Sequence, residues 1–337
     1  MRAVVLRAPG GLNQLELRDL PDPGQPGVGQ IRVAIHATSL NFHDLLVANG
    51  SIPTTDGRIL MSDGAGVVEA VGEGVTEFAV GESVVSSFFP QWQDGRAFDD
   101  VGSFRRTPGD GIDGYATEYV VRPAHYFTHA PSCWGHSEAA TITTAGLTAW
   151  RALVVEGGIK AGDSVLLLGT GGVSIAALQI ARAMGARVIV TSSSDKKLER
   201  ARSLGATDVI NYRTNPDWGT EVLELTNGRG VDHVVEVGGP GTLAQSLQAV
   251  RVGGHVALIG VLTGRGGDVP TSLLMAKQAR LQGLVVGSRR QQQEYVAALE
   301  QNNLRPVIDC SYPLERLSDA FKLQESGSHF GKIVVEW

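Results

Sequence analysis

The residues with the clearest chemical potential are Gly169-Thr170-Gly171-Gly172-Val173-Ser174, set between the apolar run Ser164–Leu168 and a helix-patterned stretch, Ser174–Met184. Strand, glycine turn and helix in that order bring free backbone N–H groups and the positive end of a helix dipole to one point, which suits a pyrophosphate. Gly169 permits the tight turn, and Gly171 lets the backbone approach a ligand with no Cβ in the way. Ser174 stands where a third glycine is usual and is small enough to keep helix and strand close. The plain alternative is a glycine-rich turn without a ligand. A full β-α-β unit ending at Val188-Ile189-Val190, with three further strand-like runs after it, weighs against that alternative.

The residues after the second strand choose the dinucleotide. An acid there would bond the adenine ribose hydroxyls of NAD(H), whereas small and basic residues admit the extra phosphate of NADP(H). The sequence reads Thr191-Ser192-Ser193-Ser194-Asp195-Lys196-Lys197, with no acid at the strand end. Ser193 can hydrogen-bond a phosphate and Lys197 can neutralise it, while Asp195 is placed to cap the helix Leu198–Leu204. NADP(H) is therefore preferred over NAD(H), the alternative being that the lysines are only a solvated first turn.

These residues need a scaffold. Beyond residue 160, apolar runs (Ser164–Leu168, Ala186–Val190, Asp208–Tyr212, His233–Val237, His255–Val261, Gly283–Val286) alternate with helical stretches, the pattern of a doubly wound parallel sheet covered on both faces. The first 126 residues instead hold short β-rich runs between glycine and proline turns, which suggests a β-barrel-like domain. Pro90–Gly111 has no clear period and reads as a long loop, and Ser137–Trp150 reads as one helix rich in small residues. The tail ends in a helix, Ser318–Gln324, and a strand, Lys332–Glu336, expected to rejoin the first domain.

Bulk properties narrow the classes. The 337 residues suit two domains, and 42% hydrophobic with 19% charged residues is ordinary for a globular protein. A net charge of -6 without a basic run gives no footprint for nucleic acid or an anionic membrane. No apolar stretch is long enough to cross a membrane and the start lacks a signal-peptide pattern, so a cytoplasmic protein acting on a small molecule is expected. Cys133 and Cys310 are too few and too far apart for a disulfide framework or a cysteine zinc knot.

Six blocks, in order, resemble the medium-chain dehydrogenase/reductase superfamily, specifically its zinc-independent quinone oxidoreductase-like branch. They are Ser39–Asp44, Ser62–Val68 with Val71–Val75, Asp113–Tyr119, Ala145–Trp150, the glycine turn, and Gly205-Ala206 with Val209–Tyr212. The resemblance implies an α/β protein: a GroES-like β-barrel catalytic domain over 1–126, completed by 289–337, and a Rossmann NADP(H)-binding domain over 127–288, with hydride transfer between them. Carried over, Ser193, Lys197 and Tyr212 would bind the 2′-phosphate, and Gly169, Thr170, Gly171, Gly172 and Val173 the pyrophosphate. Asn41 and Thr148 would lie near the nicotinamide and its ribose, Val237, Gly238, Gly260, Val261 and Ser288 would frame the ring, and Lys332 would approach the cofactor. A homodimer paired through the Gly283–Val286 edge strand is also implied.

Zinc-dependent relatives place a cysteine in the block that here reads Asn41-Phe42-His43-Asp44 and a His-Glu pair in the block that here reads Ser62-Asp63-Gly64, so no zinc is expected. Without a metal to polarise oxygen, substrates that are already electron-poor are favoured, and the leading expectation is reduction of quinones or α,β-unsaturated carbonyls. A zinc-free alcohol dehydrogenase and a non-catalytic NADP(H)-binding protein are the alternatives. Asn41 and Asp44 are the candidate catalytic residues, although Asp44 equally suits the cap of a helix starting near Leu45. Structural roles are favoured for His43, as a surface residue, and for Asp63, as a turn acceptor. Phe89, Trp92 and Tyr115 suit either a substrate pocket or plain core.

Overall fold

Strands rich in valine, leucine and isoleucine that lack polar alternation are stable only with both faces covered, and such strands make up the centre of a six-stranded parallel sheet. In spatial order the six strands are Asp208–Asn211, Arg187–Ser192, Ser164–Leu168, Val231–Glu236, Val250–Leu258 and Arg280–Gly283. The chain order therefore reverses between Ser164–Leu168 and Val231–Glu236, creating the crevice at which open α/β sheets bind ligands. Helices Gly172–Ala183, Asp195–Ser203, Trp218–Leu225, Pro240–Ala249 and Thr271–Ala276 make the crossovers. Leu166, Ile189, Val222, Val234, Leu247 and Val256 are among the side chains of the core on one face.

The computed structural model describes residues 1–337, which divide into two compact units: Met1–Leu147 with Val286–Trp337, and Thr148–Val285. The second unit is the parallel sheet with its helices. The first contains a seven-stranded sheet built around Gln30–Ser39, with Lys332–Glu336 antiparallel to it, and a three-stranded sheet around Arg2–Leu6. The tail thus joins the N-terminal sheet, as its apolar strand suggests. The strand pairings give open sheets rather than a closed barrel. No helix is long and apolar enough to cross a membrane.

Several boundaries differ from the sequence reading for identifiable reasons. The fifth strand begins at Val250, before His255, and the edge strand is Arg280–Gly283 rather than Gly283–Val286. Val286 has φ 46°, a left-handed conformation that an extended ladder cannot contain and that a β-branched residue rarely adopts. Ser137–Trp150 is not one α-helix: His136–Ala139 and Leu147–Trp150 are α, whereas Ile142–Gly146 and Arg151–Val155 are wider π turns. Gly146 in that run sits where a Cβ would lie 2.7 Å from Tyr295 Cε1, so a small residue is needed for packing. Within Pro90–Gly111, Asp99–Ser103 forms one short helix.

His233 and His255 are register partners in the sheet, their rings 6.2 Å apart, and His233 Nε2 lies 3.1 Å from Asp163 Oδ2. Both nitrogens of buried His255 lack a hydrogen-bond partner. Burial, reinforced by Arg280 and His233, pushes this imidazole from 6.5 down to about 4. The unfolded chain therefore binds the extra proton between those values, and this stabilising contribution, present above pH 6.5, is lost as pH falls toward 4. The urea midpoint should decline over this window, and His255→Val should show a shallower decline; an unchanged slope would contradict the assignment.

Candidate functional site

The glycine turn folds as its spacing demands. Gly169 has φ 74°, and neither it nor Gly171 has any atom within 4 Å of where a Cβ would stand, so the turn borders an open cradle. Gly171 caps the helix Gly172–Ala183, whose first backbone bond runs from Ile175 N–H to Gly171 O at 3.0 Å. The amides of Gly172, Val173 and Ser174 precede that bond, as helix-start donors do. Ser174 is more than a tolerated variant: its buried hydroxyl donates to Leu168 O at 2.7 Å and fastens the helix to the end of the strand. Thr170 is also buried.

The next two strands bring the phosphate-discriminating residues to the same edge. Ser192 pairs with Asn211, and Tyr212 N–H donates to Ser192 O at 3.1 Å, so Ser193 and Tyr212 leave the sheet together. Tyr212 is exposed and Ser193 half-buried. Lys197 is the third residue of the helix Asp195–Ser203. The helix cap is Ser194, not Asp195: Ser194 Oγ accepts from Lys197 N–H at 3.5 Å, while the Asp195 carboxylate accepts from Asn211 Nδ2 at 2.7 Å. The only acid near the strand end is thereby engaged with a neighbouring side chain.

Val237, Gly238, Gly260 and Val261 follow the fourth and fifth strands at that edge. Glycine is required at both positions, since a Cβ on Gly260 would lie 2.1 Å from Val237 O and one on Gly238 would lie 2.3 Å from Thr242 Oγ1. Sequence reasoning misses Glu236, which ends the fourth strand fully buried and receives hydrogen bonds from the backbone of Gly238 and Gly239. A lone acid at a strand end carries no signal that distinguishes it from a solvated terminus. Thr148 is buried at the start of this unit.

The remaining candidates belong to the other unit. Ser288 caps the helix Arg289–Gln301: its hydroxyl accepts from Gln291 N–H at 3.3 Å, its N–H donates to Gln291 Oε1 at 2.9 Å, and its C=O accepts from Gln292 N–H at 3.0 Å. All three of its backbone and side-chain polar groups thus serve the helix start.

Asn41, Asp44, Asp63 and Lys332 form a buried polar cluster. Lys332 Nζ donates to Asn41 Oδ1 and Leu40 O, each at 2.6 Å, and lies 3.8 Å from Asp63 Oδ2. Asp63 accepts from Ser39 Oγ at 2.6 Å, Asn41 Nδ2 at 2.9 Å and Thr144 Oγ1 at 2.6 Å. Asp44 accepts from Asn41 N–H and Nδ2, each at 3.0 Å, and from Ser62 N–H at 2.9 Å. Burial pushes the Asp63 carboxyl up and the Lys332 ammonium down, while their mutual attraction opposes both shifts.

This geometry favours the capping role for Asp44. The helix starts at Phe42, earlier than expected, and Asp44 is its third residue, reaching back to the Asn41 N–H. His43 is not a surface side chain, for its ring stacks on Phe104 at 5.1 Å, meets Phe88 edge-on at 5.5 Å, and points Nε2 to within 3.3 Å of Asp110 Oδ2. Tyr115 is core, and its ring takes the space that a Cβ on Gly64 would need. Phe89 and Trp92 are buried too, and with Phe98, Val101 and Thr107 they line a small, partly open pocket with little free space.

A parallel sheet of this order with a glycine cradle at its switch point is the arrangement that binds dinucleotides. The family description "Zinc-binding dehydrogenase" matches residues 172–301 and "Alcohol dehydrogenase GroES-like domain" matches residues 27–132. The chain belongs to the medium-chain dehydrogenase/reductase superfamily. A zinc-type alcohol dehydrogenase-like protein of Schizosaccharomyces pombe is 40% identical over 349 residues, covering 100% of this chain and 99% of its own. Among solved structures, an NAD-dependent alcohol dehydrogenase is 37% identical with a TM-score of 0.90, covering 100% of both chains. A Pseudomonas syringae quinone oxidoreductase is 27% identical with a TM-score of 0.83, covering 100% of this chain and 99% of its own. A mycobacterial protein in complex with NADPH is 27% identical with a TM-score of 0.82, covering 100% of both.

The zinc in the family description can be tested against the donors present. The cluster offers two carboxylates, an amide and an ammonium, with no thiolate or imidazole, and both carboxylates already accept several hydrogen bonds. No group of three or more His, Cys, Asp or Glu side chains is arranged to hold a metal ion. This donor set does not fit zinc.

Proposed function

We propose that this protein is a zinc-independent, NADP(H)-dependent reductase of quinones or α,β-unsaturated carbonyls. The observation that carries the reading is the donor set of the buried cluster, in which Lys332 supplies the positive charge beside Asp63. Without a Lewis acid to polarise an oxygen, an electron-poor substrate asks least of the protein, which favours quinones and α,β-unsaturated carbonyls. Bound NADPH would supply the hydride. Gly169, Thr170, Gly171, Gly172 and Val173 would hold the pyrophosphate at the helix start. Ser193, Lys197 and Tyr212 would take the 2′-phosphate, while Val237, Gly238, Gly260 and Val261 would position the nicotinamide half. Asn41 would orient the reacting groups, with Asp44 and Lys332 fixing its amide. Thr148 would lie near the nicotinamide ribose, and the backbone at Ser288 would help to frame the ring.

Two copies pairing through Arg280–Gly283 would cover an otherwise open sheet edge, and a homodimer is part of this reading.

The cofactor assignment is tested by measuring NADPH and NADH dissociation constants for the wild type and Lys197→Ala. NADPH should bind more tightly to the wild type, and the variant should lose about ten-fold in NADPH affinity with NADH unchanged. A wild-type preference for NADH, or an unaffected NADPH constant, would remove the NADP(H) assignment. The NAD-dependent alcohol dehydrogenase at 37% identity favours a second reading, NAD-linked alcohol oxidation on this scaffold, which expects that opposite result.

A further inference from the structure

We infer that Glu236 is the positioning residue for the nicotinamide half of the dinucleotide, acting through the backbone of the two loops at the switch point. This rests on the assignment of Val237, Gly238, Gly260 and Val261 to that half. Glu236 is fully buried, and Oε1 accepts from Gly238 N–H at 2.7 Å, Gly239 N–H at 2.9 Å and Thr242 Oγ1 at 2.7 Å. Oε2 accepts from Ser246 Oγ. Burying a carboxylate is costly unless its lone pairs are used, and these four donors use them.

The arrangement controls more than one loop. Two consecutive amides are drawn inward onto the carboxylate, which fixes the path of Val237–Gly239 as it leaves the sheet. The Gly238 carbonyl is then held by Thr263 N–H at 2.8 Å and Thr263 Oγ1 at 2.9 Å, so the following loop, Gly260–Thr263, is tied to the first. Thr263 Oγ1 also accepts from Gly241 N–H at 2.8 Å. Gly260 packs so closely on Val237 O that a Cβ there would lie 2.1 Å from it, leaving no slack between the two loops. The strand ending at Glu236 lies next to the strand carrying the glycine turn, so the carboxylate sets the far wall of the switch-point crevice. Its place before the helix Pro240–Ala249 also suits a negative charge.

A residue that positions only the nicotinamide half should leave the adenosine half alone. The full-length protein, its Glu236→Gln variant and its Thr242→Val variant are titrated with NADPH and with 2′,5′-ADP, which lacks the nicotinamide. The wild type should bind both. Glu236→Gln keeps the shape and removes the charge, and should weaken NADPH about five-fold or more while 2′,5′-ADP stays within about two-fold. Thr242→Val removes one donor and should shift NADPH in the same direction by less; it carries the test if Glu236→Gln does not fold. Equal weakening of both probes would show a general scaffold role and overturn the inference, as would an unchanged NADPH constant. A wild type that binds 2′,5′-ADP but not NADPH would instead overturn the assignment of the loops, and this inference with it.

Discussion

Lys332→Met is expected to destabilise the protein by about 3–5 kcal/mol, the range for removing one member of a buried ion pair. The side chain is similar in length and apolar, so lost packing contributes little. What is lost is the donor to Leu40 O and Asn41 Oδ1 and the positive charge 3.8 Å from Asp63 Oδ2. Asp63 is fully buried, and without Lys332 its carboxyl would be raised further by burial and by Asp44. Adding Asp63→Asn should recover part of the loss, because it removes the charge left uncompensated. Denaturant unfolding of the wild type, both single variants and the double variant measures the coupling. A loss below about 1 kcal/mol for Lys332→Met, or strict additivity in the cycle, would contradict this account of the cluster.

Gly171→Val should have the opposite profile, leaving stability nearly unchanged while abolishing dinucleotide binding. Gly171 has φ -79° and ψ -176°, a conformation open to valine, and no protein atom lies within 4 Å of its Cβ position. The added side chain would project into the cradle that the pyrophosphate is proposed to occupy. A loss of roughly two orders of magnitude or more in NADPH affinity, about 2.7 kcal/mol, is expected. Calorimetric titration alongside thermal unfolding separates the two effects. Unaltered NADPH binding would mean that the glycine turn does not hold the pyrophosphate.

The sheet and its glycine turn were legible because each depends on local chemistry. Gly169 takes the positive φ that its type permits, and five of the six apolar runs fall mostly on strands of one parallel sheet. Adjacent residues with similar propensities were not separable: Ser194 and Asp195 both suit a helix cap, and only the fold turns Asp195 toward Asn211. Gly283–Val286 has the composition of a strand, but its last residue takes a left-handed conformation that no local pattern announces. The π turns in 136–155 were likewise invisible, since small residues there suit an ordinary helix.

The buried cluster shows a different limit. Its members at positions 39, 41, 44, 63, 144 and 332 come from four separate stretches of chain, and beyond the cap spacing of Asn41 and Asp44 no local pattern relates them. Resemblance drew attention to Asn41, Asp44 and Lys332 but not to Lys332 as the partner of Asp63, nor to Thr144 as a donor to that carboxylate. Glu236 was missed for the same reason: its significance lies in four donors that arrive only after the switch-point loops fold.

The central claim is hydride transfer from NADPH to an electron-poor carbonyl compound without zinc. It is tested most directly by dialysing the purified protein against a chelator, verifying the absence of zinc by elemental analysis, and following NADPH consumption with a quinone and a short enone. Sustained turnover that added zinc does not raise is the expected result. Turnover that appears only with alcohols and restored zinc would contradict the account.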